Sequence, residues 1–310
     1  RDDSRPGEVF SLSNVAARDG FWWDEAEPLW VTAERAGLRT ATMFWPGSEA
    51  PIRGVRPSRW YTFSKHISSR DRAEQVIAWL NEPASTRPDL ITIYFDVVDT
   101  AGHDHGPDAP EVHAALREVD DALAAIRSAL AQRAPGDGVN ILIVSDHGMS
   151  ALSDDRVVYL DDLADPDSFN VESWGVCAFI RPRPGREPDA QRLLGEHPHV
   201  SIWRKSDIPA RFHFGAHPRV APIVALAEPG WSIALRSSKR AGPRAGTHGY
   251  DHEAPDMAGI FIAAGPDIRP GARIDTLHAV DVHPLALRLL GLPDMPSDGA
   301  VDASRSILRR

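Results

Sequence analysis

The chain is poor in the features that usually settle a class at once. It has one cysteine in 310 residues, Cys177, set in the apolar run Val176-Cys-Ala-Phe-Ile180. That context predicts a core thiol rather than a catalytic one and leaves the redox compartment open. It has no excess of basic residues: the net charge is -10, spread along the chain, which argues against nonspecific binding to nucleic acid or to an anionic membrane. No apolar run approaches the length of a membrane-spanning helix, and Arg1-Asp-Asp-Ser-Arg5 lacks the apolar core of a signal peptide. Repeats and low-complexity tracts are absent too. There is also no initiator methionine, so the start reads as processed, cut or taken from an incomplete gene. What remains is a composition with 42% hydrophobic residues, enough to bury a substantial core in one large α/β domain or two small ones.

Four apolar segments read as buried parallel strands: 39–45, 90–95, 140–145 and 258–264. Their hydrophobicity is continuous rather than alternating, which implies helices on both faces of the sheet. Between the second and third, Pro110 opens a helix in which Val112, Leu116, Val119, Leu123, Ile126 and Leu130 recur at helical steps, until Pro135-Gly136 ends it. Strand, helix, strand is the parallel crossover unit. A further helix is expected over about 280–290, before Gly291. From 151 to 246 short apolar pieces are broken by Pro and Gly, which predicts an inserted cap of short strands and loops within a domain covering 1–310.

Aspartate and histidine occur together twice, each time where a strand should end. Asp99-Thr-Ala-Gly-His103-Asp-His-Gly-Pro107 follows the 90–95 segment, and Asp146-His147-Gly-Met149 follows 140–145. Ligands of open parallel sheets bind beyond the carboxyl ends of the strands, so the two turns should meet at one edge. Thr247-His248-Gly-Tyr250, just before the 258–264 segment, can loop back over the same edge. Carboxylate with imidazole suits zinc or a similar divalent ion. Five ligands, Asp99, His103, Asp146, His147 and His248, exceed the needs of one tetrahedral ion and point to two, the arrangement that clamps both oxygens in phosphoryl transfer. Each aspartate taken alone could equally be a helix cap or a turn former. Asp104 and His105 fall off this pattern, and His113 falls on an exposed helix face.

These three motifs, in this order, resemble the nucleotide pyrophosphatase/phosphodiesterase family of the alkaline phosphatase superfamily, bacterial branch. Trp45-Pro-Gly-Ser-Glu49, Gly54-Val-Arg-Pro-Ser58 and Asp281-Val-His283-Pro, with Leu290-Gly-Leu292, extend the likeness. The resemblance implies an alkaline-phosphatase-like α/β fold: a mostly parallel sheet, helices on both faces and a small cap. It implies one zinc on Asp99, His103 and His248 and a second on Asp146 and His147. The family's second site has one more aspartate, in an Asp-Gly turn, and its nucleophile is a threonine. Neither has a counterpart here, so the first strand, that carboxylate, the nucleophile and a phosphate-binding asparagine are all expected upstream of Arg1. Thr100, Ser145, Ser150 and Thr247 flank ligand positions but lack the family's threonine context.

For the intact enzyme the resemblance implies two-step hydrolysis of a phosphodiester or pyrophosphate bond, releasing a nucleoside monophosphate. The substrate would be a small molecule, with no stable nucleic-acid partner and no transmembrane segment. Tyr94 and Phe63 match aromatic positions that contact the base, although core packing explains them as well. Alternatives of the same superfamily are a lipid-headgroup phosphodiesterase and a phosphonate hydrolase; another is a noncatalytic remnant that binds metal or phosphate. Family habit also implies a periplasmic or secreted location.

Overall fold

Thr40-Ala-Thr-Met43 contains no charged residue and is buried at every position, as a strand covered on both faces must be. In the computed structural model, which describes residues 2–5, 7–12, 14–134, 137–237 and 244–309, it is one of a series of short elements. The chain runs α1 (Leu29–Arg35), β1 (Thr40–Met43), β2 (Arg59–Trp60), α2 (Ser69–Leu80), β3 (Leu90–Ile93), α3 (Val97–His105), α4 (Pro110–Ala131) and β4 (Ile141–Val144). It continues with β5 (Ser150–Ala151), β6 (Val157–Tyr159), β7 (Phe169–Ser173), β8 (Cys177–Pro182), α5 (Glu187–Ala190), β9 (Gly195–His197), β10 (Val200–Arg204) and β11 (Ile223–Ala227). It closes with β12 (Ser232–Ala234), β13 (Gly246–Thr247), β14 (Phe261–Ala264) and α6 (Val282–Leu289).

These elements fall into two compact units. One comprises Phe10–Val97, Leu116–Val144 and Ile260–Arg310. Its main sheet has the order β2-β1-β3 and is parallel throughout, with Ala41 opposite Arg59 and Ile91. Ala41, Met43, Ile91 and Ile93 meet Ala73, Val76 and Trp79 of α2 and Ala122 and Ile126 of α4. Leu90 points the other way and packs with Trp30 and Val31 of α1. Helices therefore cover both faces, as the continuous hydrophobicity predicts. The α2 start is set by Ser68, whose hydroxyl accepts the Asp71 N–H at 3.1 Å.

Three expectations need correction. The last apolar segment is not a parallel strand: β14 pairs antiparallel with β4, Phe261 opposite Val144 and Ala264 opposite Ile141. Antiparallel pairing with one face covered produces alternation, so Phe261 and Ala263 join the core with Ile268, Leu285 and Leu308, while Ile262 is 53% exposed. The buried seam of α4 includes Val112, Ala115, Ala122 and Ile126 rather than Leu116, which is 48% exposed. Alanines let the helix approach closely, a preference that a search for large side chains does not register. Nor are β3 and β4 fully buried: all four residues of each are half-buried. Among the described residues β3 pairs only with β1, and β4 only with β14. Pro135 and Gly136, expected to end α4, lie outside the described residues.

The other unit comprises Arg1–Val9, Val98–Ala115 and Ser145–Gly259. It is built on a five-stranded antiparallel sheet of order β7-β8-β11-β10-β9. Phe169, Ala178, Ile180, Val200, Ile202, Ile223 and Ala225 supply its core, joined by Leu160, Tyr250 and Met257 from the flanking segments. Cys177 is a free, half-buried thiol on β8, and burial pushes it up to about 11. Two small ladders complete the unit: β12 parallel to β6, and β13 antiparallel to β5 with Thr247 opposite Ser150.

Candidate metal centre

Within this second unit, α3 carries Asp99 and His103 at a four-residue step, which sets both on one helix face. The His103 Nδ1 donates to the Gly246 carbonyl at 2.9 Å, which turns Nε2 toward Asp99 Oδ1, 3.5 Å away. This approach of α3 to β13 depends on a residue without a side chain. A Cβ built on Gly246 would stand 2.4 Å from the Gly102 carbonyl oxygen.

The β5–β13 ladder brings the two remaining segments together. His147 lies three residues before Ser150, and His248 directly follows Thr247, so their rings stack with centroids 3.5 Å apart and an interplanar angle of 12°. His248 also lies 4.9 Å, ring to ring, from His103, and its Nε2 is 3.4 Å from Asp99 Oδ1. His147 repeats the anchoring seen in His103: its Nδ1 pairs with the Gly148 carbonyl at 2.8 Å, and its Nε2 lies 3.3 Å from Asp146 Oδ2. In metal sites the same arrangement, a backbone carbonyl on one ring nitrogen, presents the other nitrogen to the ion.

Charge is distributed unevenly across the cluster. The hydrogen bond with Asp146 raises His147 above the usual imidazole range, and the same bond lowers Asp146. Burial, followed by the charge of His147, pushes His248 down. Two rings stacked this closely cannot both hold a proton cheaply, so His248 stays a neutral donor. Asp99 Oδ1 is buried and, among the described residues, has no hydrogen-bond partner, although two imidazole nitrogens lie within 3.5 Å. A buried carboxylate oxygen left so is costly unless a cation completes it. One carboxylate and several imidazoles form a donor set that fits zinc or a similar divalent ion.

Four of the five expected ligands are linked by these contacts through Asp99 and His248, and Asp146 joins through His147. Among the described residues, the set whose donor atoms all lie within 4.8 Å of one another is Asp99, His147 and His248. His105 and His113 are exposed, and His252 turns to Asp251 and Phe212. Phe63 and Tyr94 belong to the other unit, where their ring centroids are 6.5 Å apart and Phe63 is 39% exposed.

A model of the type I phosphodiesterase / nucleotide pyrophosphatase family matches residues 2–251. The chain belongs to this family. Bovine bis(5'-adenosyl)-triphosphatase ENPP4 is 33% identical over 295 residues, which cover 94% of this chain and 64% of the relative. The mouse protein of the same name is 34% identical over 310 residues, covering 99% and 66%. The chain thus spans slightly under two thirds of the length of these curated relatives. Among solved structures, human ectonucleotide pyrophosphatase / phosphodiesterase 5 superposes with a TM-score of 0.85 at 29% identity, over 94% of this chain and 78% of that one. An inactive threonine-to-alanine variant of the murine counterpart, in complex with AMP, gives a TM-score of 0.84 at 30% identity, over 94% and 77%. The fold is thereby that of the phosphodiesterase family, a mixed α/β fold of the alkaline phosphatase superfamily.

Two members of the chain's polar framework escaped the sequence reading. Asp96 stands inside Tyr94-Phe-Asp-Val-Val98, three positions before Asp99, and its partner is Arg72, 1% exposed, at 2.7 Å. An acid within an apolar run is itself a signal that a buried cation answers it, but nothing local points to Arg72, which is 24 residues away.

Proposed function

We propose that the chain carries the metal-binding portion of a nucleotide pyrophosphatase/phosphodiesterase, hydrolysing phosphodiester or pyrophosphate bonds of small nucleotides and releasing nucleoside monophosphates. The observation that carries the reading is the buried Asp99 Oδ1, which has no hydrogen bond among the described residues and faces the Nε2 atoms of His103 and His248. Asp99, His103 and His248 would hold one zinc, and Asp146 and His147 would contribute to a second. When bound, such ions lower the pKa of a hydroxyl nucleophile and stabilise the leaving oxygen. The chain itself supplies the frame: the Gly246 and Gly148 backbone carbonyls orient the His103 and His147 rings through Nδ1, and burial favours neutral His248.

A threonine nucleophile and one further carboxylate complete the mechanism, and in this reading they precede Arg1. The threonine is supported by the murine relative, whose threonine-to-alanine variant is inactive. In the same reading 151–246 is a cap inserted into the catalytic domain, Tyr94 and Phe63 contact the base, and the protein is exported.

The test is an assay of this chain and of an N-terminally extended chain, both with zinc, on bis(4-nitrophenyl) phosphate and on a dinucleoside polyphosphate. The extended chain should turn over both substrates. The 310-residue chain should be slower by on the order of a millionfold, as when a nucleophile that acts as a unit with its partners is lost. Equal turnover would place the nucleophile within the 310 residues.

A further inference from the structure

Three neighbouring parallel strands deliver aromatic rings at their carboxyl ends. Phe44 follows β1, Tyr94 follows β3, and Phe63 lies three residues past β2. Tyr94 is tied to the sheet by its N–H, which donates to the Met43 carbonyl at 3.0 Å. Phe44 has φ 65°, a left-handed conformation that a bulky residue keeps only where its surroundings hold it, and its ring is 4% exposed. Phe63 stands edge-on to that ring, with centroids 5.5 Å apart, and Tyr94 is the next ring along.

Beneath these rings sits the buried Arg72 guanidinium, its central carbon 4.9 Å from the Phe44 ring centroid. Nη1 donates to the Tyr94 carbonyl at 2.9 Å and to Asp96 Oδ1 at 2.7 Å. Nε donates to the Ile67 carbonyl at 3.0 Å, and Nη2 reaches the Ser64 carbonyl at 3.5 Å. One planar cation thus holds the backbone beside Phe63 and the backbone of Tyr94 at once. The fixed fork of a guanidinium can do this, whereas a lysine ammonium cannot reach all four acceptors.

We infer that Arg72 is a positioning residue for base recognition: with Asp96 and Phe44 it holds Phe63 and Tyr94 as a preformed stacking surface for a nucleobase. The inference rests on the nucleotide reading above and adds the residues that set its selectivity. Preformed aromatics bind better because their ordering is already complete before the ligand arrives. The role predicted for Arg72 is therefore a preference for ligands with a base over the same ligands without one.

The test is titration calorimetry of AMP and of ribose 5-phosphate into the zinc-loaded chain. The wild type should prefer AMP by about tenfold or more, as base stacking on an aromatic ring does elsewhere. Phe63→Ala should remove that preference. Arg72→Met/Asp96→Leu removes both buried charges together, so that neither is left buried alone, and should cut the preference by about tenfold while ribose 5-phosphate binds as before. Arg72→Lys, which retains the charge, should lose part of the preference and remains informative if the double variant does not fold. A wild-type protein without AMP preference, or one whose preference survives Phe63→Ala, overturns the base-binding reading and this inference with it. A preference lost in Phe63→Ala but intact in either folded Arg72 variant overturns the inference alone.

Discussion

The two units solve the same problem, a buried carboxylate oxygen, in opposite ways. In one, Asp96 is 8% exposed and meets Arg72, whose guanidinium also has backbone carbonyls as acceptors, so that cluster is closed. In the other, Asp99 is ringed by imidazoles held by burial and backbone carbonyls, and its buried oxygen has no hydrogen-bond partner. A closed cluster orients what surrounds it. An open one is a site for something that binds. The difference lies in the partner: a guanidinium is charged at every accessible pH and brings its own donors, whereas a neutral imidazole brings a lone pair that must be shared with a cation.

The sharpest way to break this comparison is to open the closed cluster. Arg72→Ala leaves Asp96 buried without its cation and should destabilise the protein by about 3–5 kcal/mol in urea unfolding. Arg72→Met/Asp96→Leu, which removes both charges, should stay within about 1–2 kcal/mol of the wild type. Equal losses in the two variants would mean that packing of the arginine stem, not the pair, dominates.

The next effect closes the open cluster. Zinc at a hundred times its dissociation constant should stabilise the wild-type chain by about 2.7 kcal/mol, seen as a rise in the thermal midpoint. In Asp99→Ala that rise should vanish, while the metal-free midpoint should change little or increase, because an unsatisfied buried oxygen is gone. A zinc response that survives Asp99→Ala would remove Asp99 from the ligand set.

The smallest effect concerns Cys177, a half-buried thiol in neither cluster. Burial favours its neutral thiol and pushes it from 9.0 up to about 11. Its contribution to folding is therefore complete below about pH 9 and is lost as pH rises toward 11. At pH 8, alkylation by iodoacetamide should be at least about tenfold slower in the folded chain than in urea, with no change in neutral-pH stability on Cys177→Ala beyond about 1 kcal/mol. Rapid alkylation of the folded chain would show that β8 opens locally.

How much was legible beforehand follows from how local each feature is. The Asp-His pairs are local: each ligand lies within a few residues of a strand or helix end, so type and spacing alone marked Asp99, His103, Asp146, His147 and His248 as one group. The four apolar segments were legible as strands for the same reason, since continuous hydrophobicity is a property of a few neighbouring residues. The direction of the 258–264 strand was not, because apolar runs look alike whichever way they pair, and the antiparallel β4–β14 ladder joins segments far apart in the chain. The alanine seam of α4 was missed because small side chains carry no strong hydrophobic signal of their own.

By itself, then, the order of residues determined the family, the α/β class and the identity of the carboxylates and imidazoles available to a metal. Only tertiary structure decided which atoms meet. It stacked His147 on His248, left Asp99 Oδ1 without a hydrogen bond, and buried Arg72 against Asp96 from 24 residues away. The physical reason is that donor chemistry belongs to single residues, whereas desolvation and hydrogen-bond satisfaction depend on every group that packing brings within reach.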